Sequence, residues 1–99
     1  MLFKDKWSTA SALEDLATMA GTQNNYLRAI RLYGAAEALR EAIGMPLPPP
    51  EHYARVKYVQ NIESARVNLD EVTFTKTWAE GRAMTMEQAV AYALEDQDG

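Results

Sequence analysis

The run Tyr33-Gly34-Ala35-Ala36-Glu37-Ala38-Leu39-Arg40-Glu41-Ala42-Ile43-Gly44 decides the fold. Together with Leu32, the residues Ala35, Ala36, Leu39, Ala42 and Ile43 recur at three- and four-residue steps, the spacing of one face of an α-helix. Leu27, Ile30, Gly34 and Ala38 widen that face, so the helix, over about 25–43, is expected to be contacted from two sides. Glycine inside a helix costs about 1 kcal/mol against alanine. Gly34 therefore predicts close approach by the backbone of a neighbouring helix. Gly44 is a stop signal, and Pro46, Pro48, Pro49 and Pro50 prevent the helix from continuing.

Outward from this run the chain reads as helix throughout, without β-branched runs of period two. A first helix over 7–23 carries Leu13, Leu16, Ala17 and Ala20 on one stripe; Ser8 could cap it, or Ser11 with Glu14 could form a capping box. Gly21 falls in its last turn, and Asn24 tolerates the left-handed conformation that ends helices. The prolines read as a rigid corner rather than a polyproline ligand. A third helix over 50–68 has Tyr58, Ile62, Ala65 and Leu69 as its stripe, with Val59 beside it. Asp70 is a good N-cap for a fourth helix over 71–80, which carries Val72, Phe74 and Trp78 and is ended by Gly81. Thr85 and Gln88 form a capping box for a fifth over 86–94, where Met84 can staple onto Ala89 and Ala89, Val90, Ala93 and Leu94 face inward.

Composition narrows the function. The 99 residues support one domain, 1–99. The absence of cysteine excludes a disulfide scaffold, a thiol nucleophile and Cys-based zinc or iron–sulfur sites, and a single histidine excludes multi-histidine metal sites. With 47% hydrophobic and 24% charged residues the chain should fold. No apolar run approaches the ~20 residues needed to span a bilayer, and Met1 to Lys6 lacks the order of a signal peptide, so a soluble, cytoplasmic chain without membrane contact is expected. The net charge of −4 lies wholly in residues 51–99, with Glu95, Asp96 and Asp98 in an acidic tail over 95–99. An acidic balance predicts no direct contact with nucleic acid, which needs a basic stripe.

Few residues suggest chemistry. His52, beside Glu51 and Tyr53, has no nucleophile or orienting group at recognisable spacing and reads as a surface histidine. Glu37 and Glu41 share a helical face but lack further ligands, and read as a solvated face bracketing Arg40. The glycines are isolated, so no phosphate loop is present. No catalytic residue, metal site or cofactor is expected, and the chain is read as no enzyme. Arg28 and Arg31, with Arg66 and Arg82 further on, could line an anion groove or pair with neighbouring carboxylates. Trp7, Tyr26, Tyr53, Tyr58 and Tyr92 are candidate interface anchors, whereas Phe74 and Trp78 are expected in the core and Met84 and Met86 as gap fillers.

The first two helices also carry a repeat signature. Leu13, Leu16, Ala17 and Ala20, then Ala29, Tyr33 and Ala36, take the large and small positions of a tetratricopeptide helix pair over 10–43. Leu13 stands where tryptophan is common, Ala20 where tyrosine is common, and no proline closes the second helix on schedule. The block 33–44, the Pro48-Pro49-Pro50 corner and the block from Phe74 to Leu94 together resemble the C-terminal end of the tetratricopeptide-like region in LuxR-type and adenylate-cyclase-linked ATP-dependent transcriptional regulators of bacteria, over about residues 10–94. That resemblance implies an all-helical regulatory arm with no catalytic residue, and the chain shows no nucleotide-binding loop, cyclase domain or helix-turn-helix reader.

The expected fold is all-α, a tetratricopeptide-like array of about five helices: a degenerate helix pair over 10–43 and a three-helix capping unit over 50–94. Because a single repeat cannot bury its apolar face alone, a protein–protein interaction or self-association module is expected, a homodimer or a complex with another chain. Leu13, Leu16, Tyr26, Leu27 and Ile30 are its candidate interface. The alternative is a sensor that takes an acidic peptide or small effector at Arg28 and Arg31.

Overall fold

The structure, a computed structural model, describes residues 6–44 and 52–95, with the backbone alone at residues 6, 7 and 54. It is all-α among the described residues, with helices α1 (Lys6–Thr22), α2 (Tyr26–Ile43), α3 (Tyr53–Arg66), α4 (Glu71–Arg82) and α5 (Met86–Ala93). The proline corner and residues 96–99 of the acidic tail lie outside the described residues.

Local chemistry sets most helix ends. Asn24 takes the left-handed conformation, φ 65°, between α1 and α2, and Gly44 does the same, φ 69°, after α2. The Asp70 side chain accepts a hydrogen bond from the Thr73 amide at 2.6 Å and so caps α4. At α5 the capping box is complete: Gln88 N donates to Thr85 Oγ1 at 3.0 Å, and Thr85 N donates to Gln88 Oε1 at 2.9 Å. Two expected ends differ. Ser8 and Ser11 lie inside α1, which already begins at Lys6. Gly81 does not end α4, which runs on to Arg82.

The reason Gly81 stays in the helix is packing. Helix α2 is central: its most extensive contacts are with α1 on one side and α4 on the other. A Cβ at Gly34 would stand 2.6 Å from the Trp78 carbonyl oxygen, and one at Gly81 would overlap the Arg31 carbonyl. Both glycines thus serve one backbone-to-backbone crossing. Helix α3, expected to form a capping unit with α4 and α5, packs against α2 and α1.

The core is built on alanine. Ala10, Ala17, Ala20, Ala29, Ala35, Ala36, Ala65, Ala89 and Ala93 are nine of the thirteen buried hydrophobic residues among those described; the others are Leu13, Ile30, Leu32 and Tyr33. Small side chains bring helix axes close, and the molecule measures 38 × 35 × 21 Å, about two helices thick. Tyr58 meets Tyr33 edge-on, with centroids 5.5 Å apart, and so seats α3 on α2. Trp78 packs against the core and Phe74 stacks on it at 6.0 Å. Several residues expected inside are exposed: Val59, Val72 and Leu94, at 46%, 78% and 69%, and Ala42 near the end of α2. At about 100° per residue, Val59 and Val72 point away from the Tyr58 and Trp78 stripes, and Leu94 follows the last turn of α5.

Candidate functional site

Five arginines of the described residues are held by hydrogen bonds and ion pairs within the chain. Arg28 is 8% exposed on the inner side of α2, where its Nη2 donates to the Ala93 carbonyl oxygen at 2.7 Å, satisfying an end carbonyl of α5. Its guanidinium carbon lies 4.9 Å from the centroid of the Tyr92 ring. Arg31, one turn on, lies 5.4 Å from the same centroid, donates to the Tyr92 hydroxyl at 3.0 Å and holds Glu80 of α4 at 2.8 Å. Tyr92, an expected interface anchor, is therefore a clasp that fastens α5 to α2. The expected anion groove at Arg28 and Arg31 is occupied by the chain's own groups.

Glu37 and Glu41 do not bracket Arg40. They reach across to α4 and hold Arg82, at 2.6 Å and 2.7 Å. The Arg82 hydrogen bond keeps the Glu41 carboxyl below its usual range. Arg40 instead makes a two-point bond with Glu14 of α1, at 2.6 and 2.8 Å, and that bond raises the Arg40 pKa. Arg66 bonds Glu71 at 2.9 Å and lies over the Phe74 ring at 4.9 Å. His52 is exposed at the head of α3. No cluster of three or more metal-ligating side chains occurs among the described residues.

The candidate interface on α1 and α2 is divided. Leu13 and Ile30 belong to the core, at 2% and 0% exposure, so they present nothing to a partner. Leu16 packs against the same core, and Tyr26 is half-buried with its hydroxyl donating to Asn24 Oδ1 at 2.8 Å. Leu27 alone of the five is exposed. Exposed apolar side chains also occur singly on other elements, and three of them, Tyr53, Val56 and Val59, fall together on the outer side of α3. The sequence held a signal for it: Val56 falls about 160° round the helix from Tyr58, opposite the inward stripe. No described helix is long and apolar enough to cross a membrane.

Tyr58 carries an unusual group. Its hydroxyl is buried without a hydrogen-bond partner, and burial pushes its pKa up. The neighbouring Tyr33 hydroxyl is paired with Thr18 Oγ1 at 2.7 Å.

Compared with known proteins, the chain is 32% identical over 87 residues to proteins of Mycobacterium tuberculosis and Mycobacterium bovis named as HTH-type transcriptional regulators. The match covers 83% of this chain but 9% of the relatives' length. No family model and no solved structure matches. The relatives' names correct one expectation. The acidic balance predicts no direct contact with nucleic acid, yet these relatives are named for the helix-turn-helix, a DNA-reading motif. The charge of one short segment does not decide that question. What the comparison gives is a chain similar to one short stretch of much longer transcriptional regulators.

Proposed function

We propose that the chain is a non-enzymatic protein–protein interaction module of a transcriptional regulator, a tetratricopeptide-like helical unit that offers the outer side of α3 to another protein segment. The observation that carries this reading is the exposed row of Tyr53, Val56 and Val59, at 75%, 40% and 46%. Apolar and aromatic side chains grouped on one helix face suit a helix-in-groove or helix-on-helix contact. Regulation as its setting is supported by the 32% identity to HTH-type transcriptional regulators. The sensor alternative has less support, since an acidic peptide at Arg28 and Arg31 would have to displace Tyr92, Glu80 and the Ala93 carbonyl.

The test is a transcript profile in the organism that carries the gene. Deletion is expected to alter a defined set of transcripts, and a Val56→Asp, Val59→Asp double variant, checked for folding by circular dichroism, is expected to alter the same set. An unchanged profile on deletion overturns the regulatory reading. A profile changed by deletion but not by the folded variant overturns α3 as the working surface.

A further inference from the structure

A concave feature lies away from α3. Between the C-terminal half of α2 and the corner joining α4 to α5 is an open cavity of about 400 Å³. It is lined by Ala35, Ala38 and Ala42 of α2 and by Met84 and Thr85 of that corner. Met84 and Met86 form a wall opposite these alanines, with Leu13 also lining the cavity. The volume is in the range of small-molecule sites, and methionine walls adapt to the shape of an apolar guest.

The charges at the cavity select its guest. Arg82 lines it, but its guanidinium is held by both Glu37 and Glu41, so this trio carries a net negative charge. Glu87, in the first turn of α5, also lines the cavity, is exposed, and has no ion-pair partner among the described residues. An anion would meet the Glu87 carboxylate and a guanidinium already engaged by Glu37 and Glu41. A protonated amine would meet a free carboxylate at the edge of an apolar cavity.

We propose that this cavity is a binding site for a small apolar molecule bearing one protonated amine, with the apolar body between Ala38 and Met86 and the amine at Glu87. The site stands apart from the α3 surface and does not depend on it. Three matched probes test it: 4-phenylbutylamine, 4-phenylbutanol and 4-phenylbutyrate, each titrated into the full chain while the methionine methyl signals are followed by NMR. The amine is expected to shift Met84 and Met86 and to bind about fivefold more tightly than the carboxylate, the size of one exposed charge interaction. Glu87→Gln should remove most of that preference while leaving the alcohol unchanged. Ala38→Leu, which fills the cavity, should abolish the shifts in a protein whose thermal melt is retained. If Ala38→Leu does not fold, Ala42→Leu at the more exposed end serves in its place. Equal binding of amine and carboxylate, shifts outside Met84 and Met86, or shifts that survive in a folded cavity-filled variant overturn the proposal. So does a short Leu-Lys-Leu peptide that shifts these methionines when none of the three probes does, since the groove would then belong to a protein partner.

Discussion

Gly34 of α2 and Gly81 of α4 mark one crossing point, each lying where a side chain on it would strike the backbone of the other helix. A Cβ on Gly34 would come 2.6 Å from the Trp78 carbonyl oxygen, and one on Gly81 would collide with the Arg31 carbonyl. Alanine at either site gains up to about 1 kcal/mol of helix propensity, but backbone atoms on the far side cannot rotate away. Gly34→Ala and Gly81→Ala are each expected to lower stability by about 2–3 kcal/mol, with Gly81→Ala the more severe, read as the loss of urea midpoint at constant slope. A stabilised Gly81→Ala variant would show that the helices do not cross here.

Glu14 and Arg40 form the least exposed ion pair among the described residues, with side chains 17% and 12% exposed, and bond at two points. A double-mutant cycle with Glu14→Gln and Arg40→Leu is expected to give a coupling of about 1–2 kcal/mol that salt changes little, because the pair is shielded from solvent. The exposed Arg66–Glu71 pair, measured alongside, should give less than about 0.5 kcal/mol.

Tyr58→Phe should be neutral or stabilising by up to about 1 kcal/mol, because it removes a buried hydroxyl that makes no hydrogen bond. Tyr33→Phe should cost about 1 kcal/mol, because it removes the 2.7 Å hydrogen bond between the Tyr33 hydroxyl and Thr18 Oγ1. Chemical denaturation of the two variants under identical conditions separates them, and a larger loss for Tyr58→Phe would mean that its hydroxyl has a partner after all.

Stability should fall at both ends of the pH range. The folded pKa values of Glu41 and Asp70 lie below their ordinary 4.5 and 3.8, through bonds to Arg82 and to the Thr73 amide. The unfolded chain binds those protons more readily, so the contribution is whole above these values and is lost as pH falls through the folded ones. Tyr58 and Tyr33 are raised above 10.0, chiefly by burial. Their contribution is whole below pH 10 and is lost as pH rises beyond it. Thermal melts from pH 2 to 11 should show a plateau between these limits, and Asp70→Asn should flatten part of the acid limb.

Much of the fold could be read locally. The α2 stripe, the left-handed Asn24 and Gly44, the Asp70 cap and the Thr85–Gln88 box depend on residues a few positions apart, and each appears in the structure. Gly34 was legible too, since a glycine in a strong helix needs a neighbour's backbone to explain it. Gly81 looked the same as a stop signal because its contact, the Arg31 carbonyl, lies fifty residues away. Arg82 found Glu37 and Glu41, and Arg28 found Ala93, over similar separations that no local pattern records. The candidate interface suffered most: the repeat spacing marks Leu13 and Ile30 as apolar, but only the packing of α1, α2 and α4 shows that they are already covered.

The alanine core gives this protein an inverted sensitivity to mutation. In a core of leucine and phenylalanine the damaging change is truncation, which leaves a void. Here most buried positions have little left to lose, and the damaging change is growth: one added isopropyl group at Ala17, Ala29 or Ala36 must push two helix axes apart along their whole length. A saturation library selected for folding should therefore accept glycine and serine at these sites more readily than valine or leucine, the reverse of the hydrophobicity order.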